Sequence, residues 1–282
     1  MARVREGIVA GYDGSTGSDG ALRLAAREAR ARGTLLTVCL AWAPSSPAAP
    51  REPAVYELAR RENEEILAPG LRYAQSLMEP SRVKPLLATG SAAEVLRDLS
   101  GTAEMVVVGS RGHGTLPGLL LGSVAWQVAG HAEGPVVVVR GQWPPPPNHR
   151  AGPVVVGADG SPDSLAAVTF AFREAALRGV PLLAVCALAD SAAVLGGARR
   201  VEEDFSSVMT RQEKENPEVT VLRQVTAGSP VRELLRATVG AQMVVVGARG
   251  RGGVPGMRLG SVPHAMLHHS PCPVSVVRPE AR

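Results

Sequence analysis

Aromatic residues are scarce in this chain. Phe, Trp and Tyr together make up 3% of its 282 residues, so Val, Leu and Ala must fill any core. Lysine is scarcer still: Lys84 and Lys214 are the only two, and arginine carries the rest of the side-chain positive charge. The net charge of +4 is small. A nucleic-acid reader shows clustered basic residues with aromatics interleaved for stacking. Here Arg23, Arg27, Arg30 and Arg32 share one amphipathic segment with Glu28, which predicts a solvated helix face rather than a nucleic-acid groove. The three cysteines, Cys39, Cys186 and Cys272, are far apart in sequence, which excludes a zinc knuckle or a redox CxxC. Cys39 and Cys186 lie in apolar runs and read as small core residues. No apolar run is long enough to span a bilayer, and the opening MARVREGIVAGYDGS lacks the apolar stretch of a signal peptide. The expectation is a cytoplasmic protein with no membrane and no nucleic-acid partner.

What is abundant is glycine, and it is arranged twice in the same way. Val106–Val124 reads VVVGSRGHGTLPGLLLGSV and Val244–Val262 reads VVVGARGRGGVPGMRLGSV, 138 residues apart, with 13 of 19 positions identical. Each copy is an apolar run, then a glycine-rich loop, then Gly-Ser before a helical pattern. Backbone amides in such a loop and at a helix start suit phosphate groups.

The flanking elements repeat as well. In the first half the pattern predicts strands over 7–12, 35–42, 83–88, 105–109 and 136–139, with helices over 16–31, 55–78 and from Ser91 to about Ser100. Pro69-Gly70 is expected to interrupt the second helix, and Ser91 with Glu94 forms a capping-box pattern. The second half predicts strands over 154–158, 182–188, 219–225, 243–247 and 274–277, with helices over 164–177, within 192–215, and after Ser229-Pro230. Asp13 and Asp159 are 146 apart while Gly90 and Gly228 are 138 apart, so the first copy has eight extra residues between strands two and three; Pro44–Pro53 is the expected insertion. Gln142–Arg150, QWPPPPNHR, reads as an extended spacer. The domain reading is therefore 1–142, a Pro-rich linker 143–150, and 151–282. Strands alternating with helices imply an α/β fold, a parallel sheet covered on both faces in each half. Ligands of such sheets bind beyond the carboxyl ends of the strands, where strand order reverses. Asp-Gly-Ser after strand one and the glycine loop after strand four meet there if those strands are neighbours.

The loop itself gives each residue type a reason. Gly109 and Gly247 end strands, where the missing side chain lets a ribose or phosphate come close; Gly112 and Gly250 are expected at positive φ with amides turned inward. Gly122-Ser123 and Gly260-Ser261 open helices whose free N–H groups and serine hydroxyl can bind phosphate oxygens. Arg111 and Arg249 could add charge, although exposed arginines more often face solvent. The chain has no Gly-Lys-Ser/Thr, so the loop is not a P-loop, and its glycines follow strand four rather than strand one, so it is not the Rossmann fingerprint. Asp13 and Asp159 read either as ligand contacts or as turn residues. His264 and His268, spaced i, i+4, lack a third metal ligand, and Ser123 and Ser261 lack a general base, so no metal site and no catalytic residue is assigned.

The spacing Gly-x2-Gly-x9-Gly-Ser, at Gly109, Gly112, Gly122, Ser123 and again at Gly247, Gly250, Gly260, Ser261, resembles the ATP-binding signature of the universal stress protein family. IVAGYDGS and VVVGADGSP at the two starts, and VVVVR and VSVVRP at the two ends, agree with it, so the resemblance covers nearly the whole chain as a tandem pair. It implies two doubly wound five-stranded parallel sheets of order 3-2-1-4-5, paired through their fifth strands as a pseudo-twofold dimer, with a homodimer as a further expectation. It implies ATP with Mg held through the phosphates. Asp13 and Asp159 would face base and ribose, Ala41 and Ala187 the adenine, and the glycines with Ser123 or Ser261 the triphosphate. The second copy keeps the family's Pro-Cys-Pro-Val at Pro271–Val274, whereas the first has Glu133-Gly134-Pro135-Val136, where the effect of Glu133 depends on whether it faces the other half. Position 113 is His and its counterpart is Arg251, so the two sites are expected to differ in phosphate affinity.

Three functional readings follow: a stress-response regulator set by ATP occupancy, which is favoured; a slow ATPase or nucleotide-transferring enzyme; and a structural dimer with no ligand, which would tolerate bulky residues at Gly112 and Gly250.

Overall fold

A run of three or four valines with no polar alternation must be covered on both faces, and in a parallel sheet helices do the covering. A computed structural model describes residues 5–43, 53–113, 120–140, 152–188, 197–252 and 256–279. The chain divides into two compact units, Met1–Val139 and Arg140–Arg282. Unit 1 contains β1 (Ile8–Gly11), α1 (Thr16–Arg32), β2 (Leu36–Trp42), α2 (Pro53–Leu77), β3 (Val83–Thr89), α3 (Ala92–Leu99), β4 (Met105–Gly109), α4 (Ser123–His131) and β5 (Val136–Val139). Its strands are ordered β3-β2-β1-β4-β5 and all four pairings are parallel. Unit 2 contains β6 (Val154–Gly157), α5 (Pro162–Arg178), β7 (Leu182–Leu188), α6 (Gly197–Glu215), β8 (Val221–Ala227), α7 (Pro230–Ala237), β9 (Met243–Gly247), α8 (Ser261–His269) and β10 (Val274–Val277). Its order is β8-β7-β6-β9-β10, again parallel throughout. Both units therefore have the expected 3-2-1-4-5 order. The expected linker, 143–150, lies outside the described residues.

The core is what the composition dictates. Val106, Val107, Val136, Val137 and Val138 of unit 1, and Val154, Val155, Val156, Val244 and Val245 of unit 2, are fully buried. Full burial of each such side chain contributes about 1.5–3 kcal/mol. The helices after β1 and β6 press onto the sheet, α1 with Ala and Leu and α5 with Ala, Val168 and Phe172, and each ends at a glycine in the left-handed region, Gly33 (φ 64°) and Gly179 (φ 61°). The N–H of Thr34 then reaches the Ala29 carbonyl (3.0 Å), and that of Val180 the Ala175 carbonyl (3.1 Å).

Several expectations need correction. α2 runs unbroken through Pro69. The missing Pro69 N–H is offset by burial of Leu67, Gly70 and Ala74, and Gly70 lies on the Tyr12 ring, where an added Cβ would stand 2.5 Å from Cε1. Strand β8 begins at Val221 rather than Val219, because pairing with β7 (Leu182↔Val221 to Leu188↔Ala227) sets its ends. α5 begins at Pro162, two residues before Ser164, with the Ser161 hydroxyl accepting from the Ser164 N–H at 3.2 Å. Ser91 and Ser229 stand at their N-caps, but neither side chain makes a capping hydrogen bond. The expected insertion falls largely on 44–52, outside the described residues, while α2 has 25 residues against 19 in α6. Glu133 is engaged within unit 1: its N–H donates to Ser100 Oγ (2.9 Å), and its carbonyl accepts from Arg5 (3.1 Å).

The arginine face of α1 is in part the solvated surface expected, with Arg27 and Arg30 exposed, but it also makes contacts of its own. Arg23 donates to the Tyr73 hydroxyl and lies 5.5 Å from its ring centroid, and Arg30 donates to the Leu77 carbonyl at 3.3 Å, so both tie α1 to α2. Arg32 pairs with Glu28, a charge only 2% exposed. The same i, i+4 pair recurs in unit 2 as Glu174–Arg178, with side chains 1% and 4% exposed. Removing one member of a buried pair strands the other charge. Glu174→Leu is expected to lower the unfolding free energy of unit 2 by about 3–5 kcal/mol. Glu203→Leu, which breaks the exposed Arg199–Glu203 pair, is expected to change it by less than about 1 kcal/mol. Urea unfolding of both variants checks this; equal effects would contradict the assignment.

Candidate functional site

The reversal of strand order falls between β1 and β4, which pair directly at Ile8↔Met105 and Ala10↔Val107. Their carboxyl ends therefore deliver the Asp-Gly-Ser turn and the glycine loop to one place. Asp13 joins them. Its Oδ1 accepts from the Ser15 N–H (3.0 Å) and the Ser15 hydroxyl (2.6 Å), and its Oδ2 accepts from the His113 N–H (3.0 Å). Ser15 in turn caps α1, accepting from the Ser18 N–H at 3.2 Å. Unit 2 repeats the stitch: Asp159 accepts from the Ser161 N–H (2.9 Å) and the Arg251 N–H (2.8 Å). Burial pushes the Asp13 carboxyl up, but the hydrogen bonds from Ser15, His113 and Ser18 together outweigh it and hold the group below its ordinary 3.8. Asp159 is lowered in the same way against burial, by Ser161, Arg251 and Ser164.

This stitch gives Gly112 and Gly250 a different reason from the one expected. Neither has positive φ. A Cβ on Gly112 would instead overlap Asp13 Oδ2, and one on Gly250 would lie 2.5 Å from Asp159 Oδ2. Gly109 and Gly247 are likewise required by the protein itself. A Cβ on Gly109 would stand 2.6 Å from the Gly17 carbonyl carbon in the first turn of α1, and one on Gly247 2.7 Å from that of Asp163 in the first turn of α5. Bulky residues at Gly112 and Gly250 would thus disrupt the loop whether or not a ligand binds.

The helix starts are as expected, with one amide fewer. Gly122 caps α4 and Gly260 caps α8, and Ser123 and Ser261 are the first helical residues. The Gly122 N–H is already donated to the Ser110 carbonyl (2.7 Å), and that of Gly260 to the Ala248 carbonyl (2.8 Å). The next N–H groups, those of Ser123, Val124 and Ala125 in α4 and of Ser261 and Val262 in α8, where Pro263 has none, have no intrahelical acceptor by geometry. They sit at the positive end of the helix dipole, a contribution of about 0.3–1 kcal/mol to an anion there.

These residues surround a cavity of about 170 Å³ in unit 1. Asp13, Ala41, Gly109, Gly112, Gly122 and Ser123 all line it. So do residues that sequence reasoning missed: Tyr12, Ser18, Ala92, Leu96, Val108 and Ala125. Leu96 projects from α3 to within 3.0 Å of where a Gly11 Cβ would be, so a glycine at the end of β1 keeps that wall in place. Cys39 also contributes to the lining, but burial pushes its thiol up to about 12, and it acts as an apolar wall. Arg111 is the cation in the lining. In unit 2, Asp159, Ala187, Gly247, Gly250, Gly260 and Ser261 occupy the equivalent positions, with Ala187 near the end of β7 opposite Thr226. Arg249 is turned to a carboxylate, its Nε 3.7 Å from Asp163. His264 and His268 pack on each other with ring centroids 4.6 Å apart. No described helix is long and apolar enough to cross a membrane.

Comparison with known proteins places this architecture. The sequence profile of the universal stress protein family matches residues 5–140 and again 151–278. The chain belongs to the universal stress protein family. It is a tandem member, and its curated relatives are tandem-length as well. A universal stress protein of Mycobacterium tuberculosis is 37% identical over 98% of both chains, and one of Mycolicibacterium smegmatis is 37% identical over 97% of both. The crystal structure of a universal stress protein from Archaeoglobus fulgidus superposes with a TM-score of 0.74 at 20% identity, covering 96% of this chain and 98% of that one, which shows the shared fold.

The Asp13 stitch can be tested by titration. A carboxyl lowered on folding contributes stability above its unfolded value and loses it as pH falls through the folded one. Asp13→Asn is expected to destabilise by about 1–2 kcal/mol at neutral pH. The gap to wild type should narrow as the pH drops below 3.8, the ordinary value. Thermal unfolding of both proteins between neutral and acid pH measures this; a constant gap would show that the carboxylate charge plays no part.

Proposed function

We propose that this universal stress protein binds ATP in each unit and acts as a nucleotide-dependent regulator. One observation carries the reading: the six unit-1 residues singled out by spacing and resemblance line a single cavity at the strand-order reversal. In this reading the adenine lies beside Ala41, the ribose near Asp13, and the phosphates against the first turn of α4 and Arg111. The ligand's charge fits the lining: amide donors and a guanidinium face the phosphate end, while Ala41, Leu96 and Val108 supply apolar wall. Mg would be carried by the phosphates themselves, neutralising charge that three amides and one arginine do not balance. Ala187, Asp159 and the α8 start take the same roles in unit 2. Occupancy would fix the glycine loop onto the helix start, and that ordering is what a partner protein would sense.

Calorimetry of the full chain with Mg·ATP is expected to give saturable binding, with Gly122→Val and Gly260→Val each removing one site. The Gly260 variant should fold, since an added Cβ would meet its nearest neighbour, Arg249 Cα, at an ordinary 3.6 Å. A wild-type chain that takes up no ATP, either in the titration or as nucleotide released on denaturation, would overturn the proposal.

A further inference from the structure

Around the glycine loop the two units share a backbone plan and differ in charge. In unit 2 the side chain of Arg251 reaches Asp204 on α6 in a direct ion pair. Its path crosses Gly160 of the Asp-Gly-Ser turn: a Cβ there would overlap the Arg251 guanidinium and lie 3.2 Å from Asp204 Cβ. Gly160 has φ +77°, so the site strongly favours glycine on both counts. The pair thus spans the turn after β6, the loop after β9 and α6. In unit 1 the corresponding positions hold Gly14, His113 and Ile66. A Cβ on Gly14 would lie 3.3 Å from Ile66 Cγ2 and 3.7 Å from His113 Nε2. An apolar side chain therefore stands in unit 1 where Asp204 stands in unit 2. A second carboxylate repeats the pattern: Asp163 accepts from the Arg249 N–H at 3.1 Å, whereas unit 1 has Gly17 at that point.

Arg251 is the residue whose amide closes the Asp159 stitch, so its side chain starts at the rim of the phosphate cradle. A guanidinium there would pair with phosphate oxygens as readily as with a carboxylate. The ion pair is half-exposed, with side chains 35% and 45% accessible, so it can exchange partners at small cost.

We propose that Asp204 is an intramolecular competitor for the anionic ligand of unit 2, holding Arg251 until phosphate oxygens replace the carboxylate. The proposal rests on the reading of the glycine loop as a phosphate site. It makes unit 2, and not unit 1, a site whose affinity is limited by one of the chain's own carboxylates.

The test is calorimetry on the full chain carrying Gly122→Val, so that the unit-2 site reports alone, with Mg·ATP and with adenosine as probes. Adding Asp204→Asn is expected to tighten ATP about two- to fivefold, the worth of a half-exposed pair. Adenosine, which has no phosphate to compete, should bind unchanged. The gain should vanish when Arg251→Gln is also present. ATP binding unchanged or weakened by Asp204→Asn, or ATP and adenosine tightened alike, would overturn the competitor while leaving the phosphate site standing. If the Gly122→Val chain binds no ATP although wild type does, Asp204→Asn must open the second site, and failure to do so likewise overturns the competitor. Absence of ATP binding by wild type and every variant would instead overturn the phosphate-site reading on which the proposal rests.

Discussion

One carboxylate per unit holds the mouth of the sheet together. In a parallel sheet the loops leaving adjacent strands emerge at the same edge, and their amides have no ladder or helix to join. Asp13 and Asp159 accept those amides, one oxygen turned to the helix-capping serine and the other to the glycine loop. A neutral amide side chain offers one acceptor where a carboxylate offers two. The same bond explains why position 112 or 250 must be glycine, since the carboxylate stands where a side chain would begin. The turn after the first strand and the start of the glycine loop are thus one unit in each half.

That dependence shows what a sequence reveals and what it leaves hidden. Strands β4, β5, β7, β9 and β10 lie where their apolar runs place them, because buried parallel strands read as near-continuous apolar stretches. The edge strand β8 does not: Leu222 and Val225 are exposed there, so apolar content stops marking the strand, and its ends follow its neighbour. Pro69 was a local signal for a break, but the contact made beside it in the unbroken α2, Gly70 on Tyr12, joins residues far apart in sequence. The glycines posed the same problem. Their spacing says that a side chain is forbidden at 109 and 112, but not whether a ligand, a helix backbone or a carboxylate forbids it.

The candidate site was legible in its polar half. The repeated motif named Asp13, the glycines and the helix start, and all of these converge. The apolar half, Tyr12, Leu96 and Val108, was not, because a leucine on a helix face looks the same whether it packs into a core or walls a cavity. Asp163 and Asp204 were missed for another reason. Comparison of the two copies centred on what they share, and the signal for these carboxylates was a difference, Gly17 against Asp163 and Ile66 against Asp204.

Duplication separates two kinds of requirement. Residues bound into the Asp–amide stitch cannot change without opening the loop, and they are the same in both units: the aspartate, the capping serine and the glycines of the loop. Residues whose side chains leave the stitch are free to diverge, and they do, at 111 and 249 in partner, at 113 and 251 in charge, at 17 and 163 in the presence of a carboxylate. In the nucleotide-binding reading proposed above, backbone geometry would set the class of ligand for both sites at once. Affinity would then be left to side chains that can be altered one unit at a time, and a single chain would present two copies of one cradle with different thresholds.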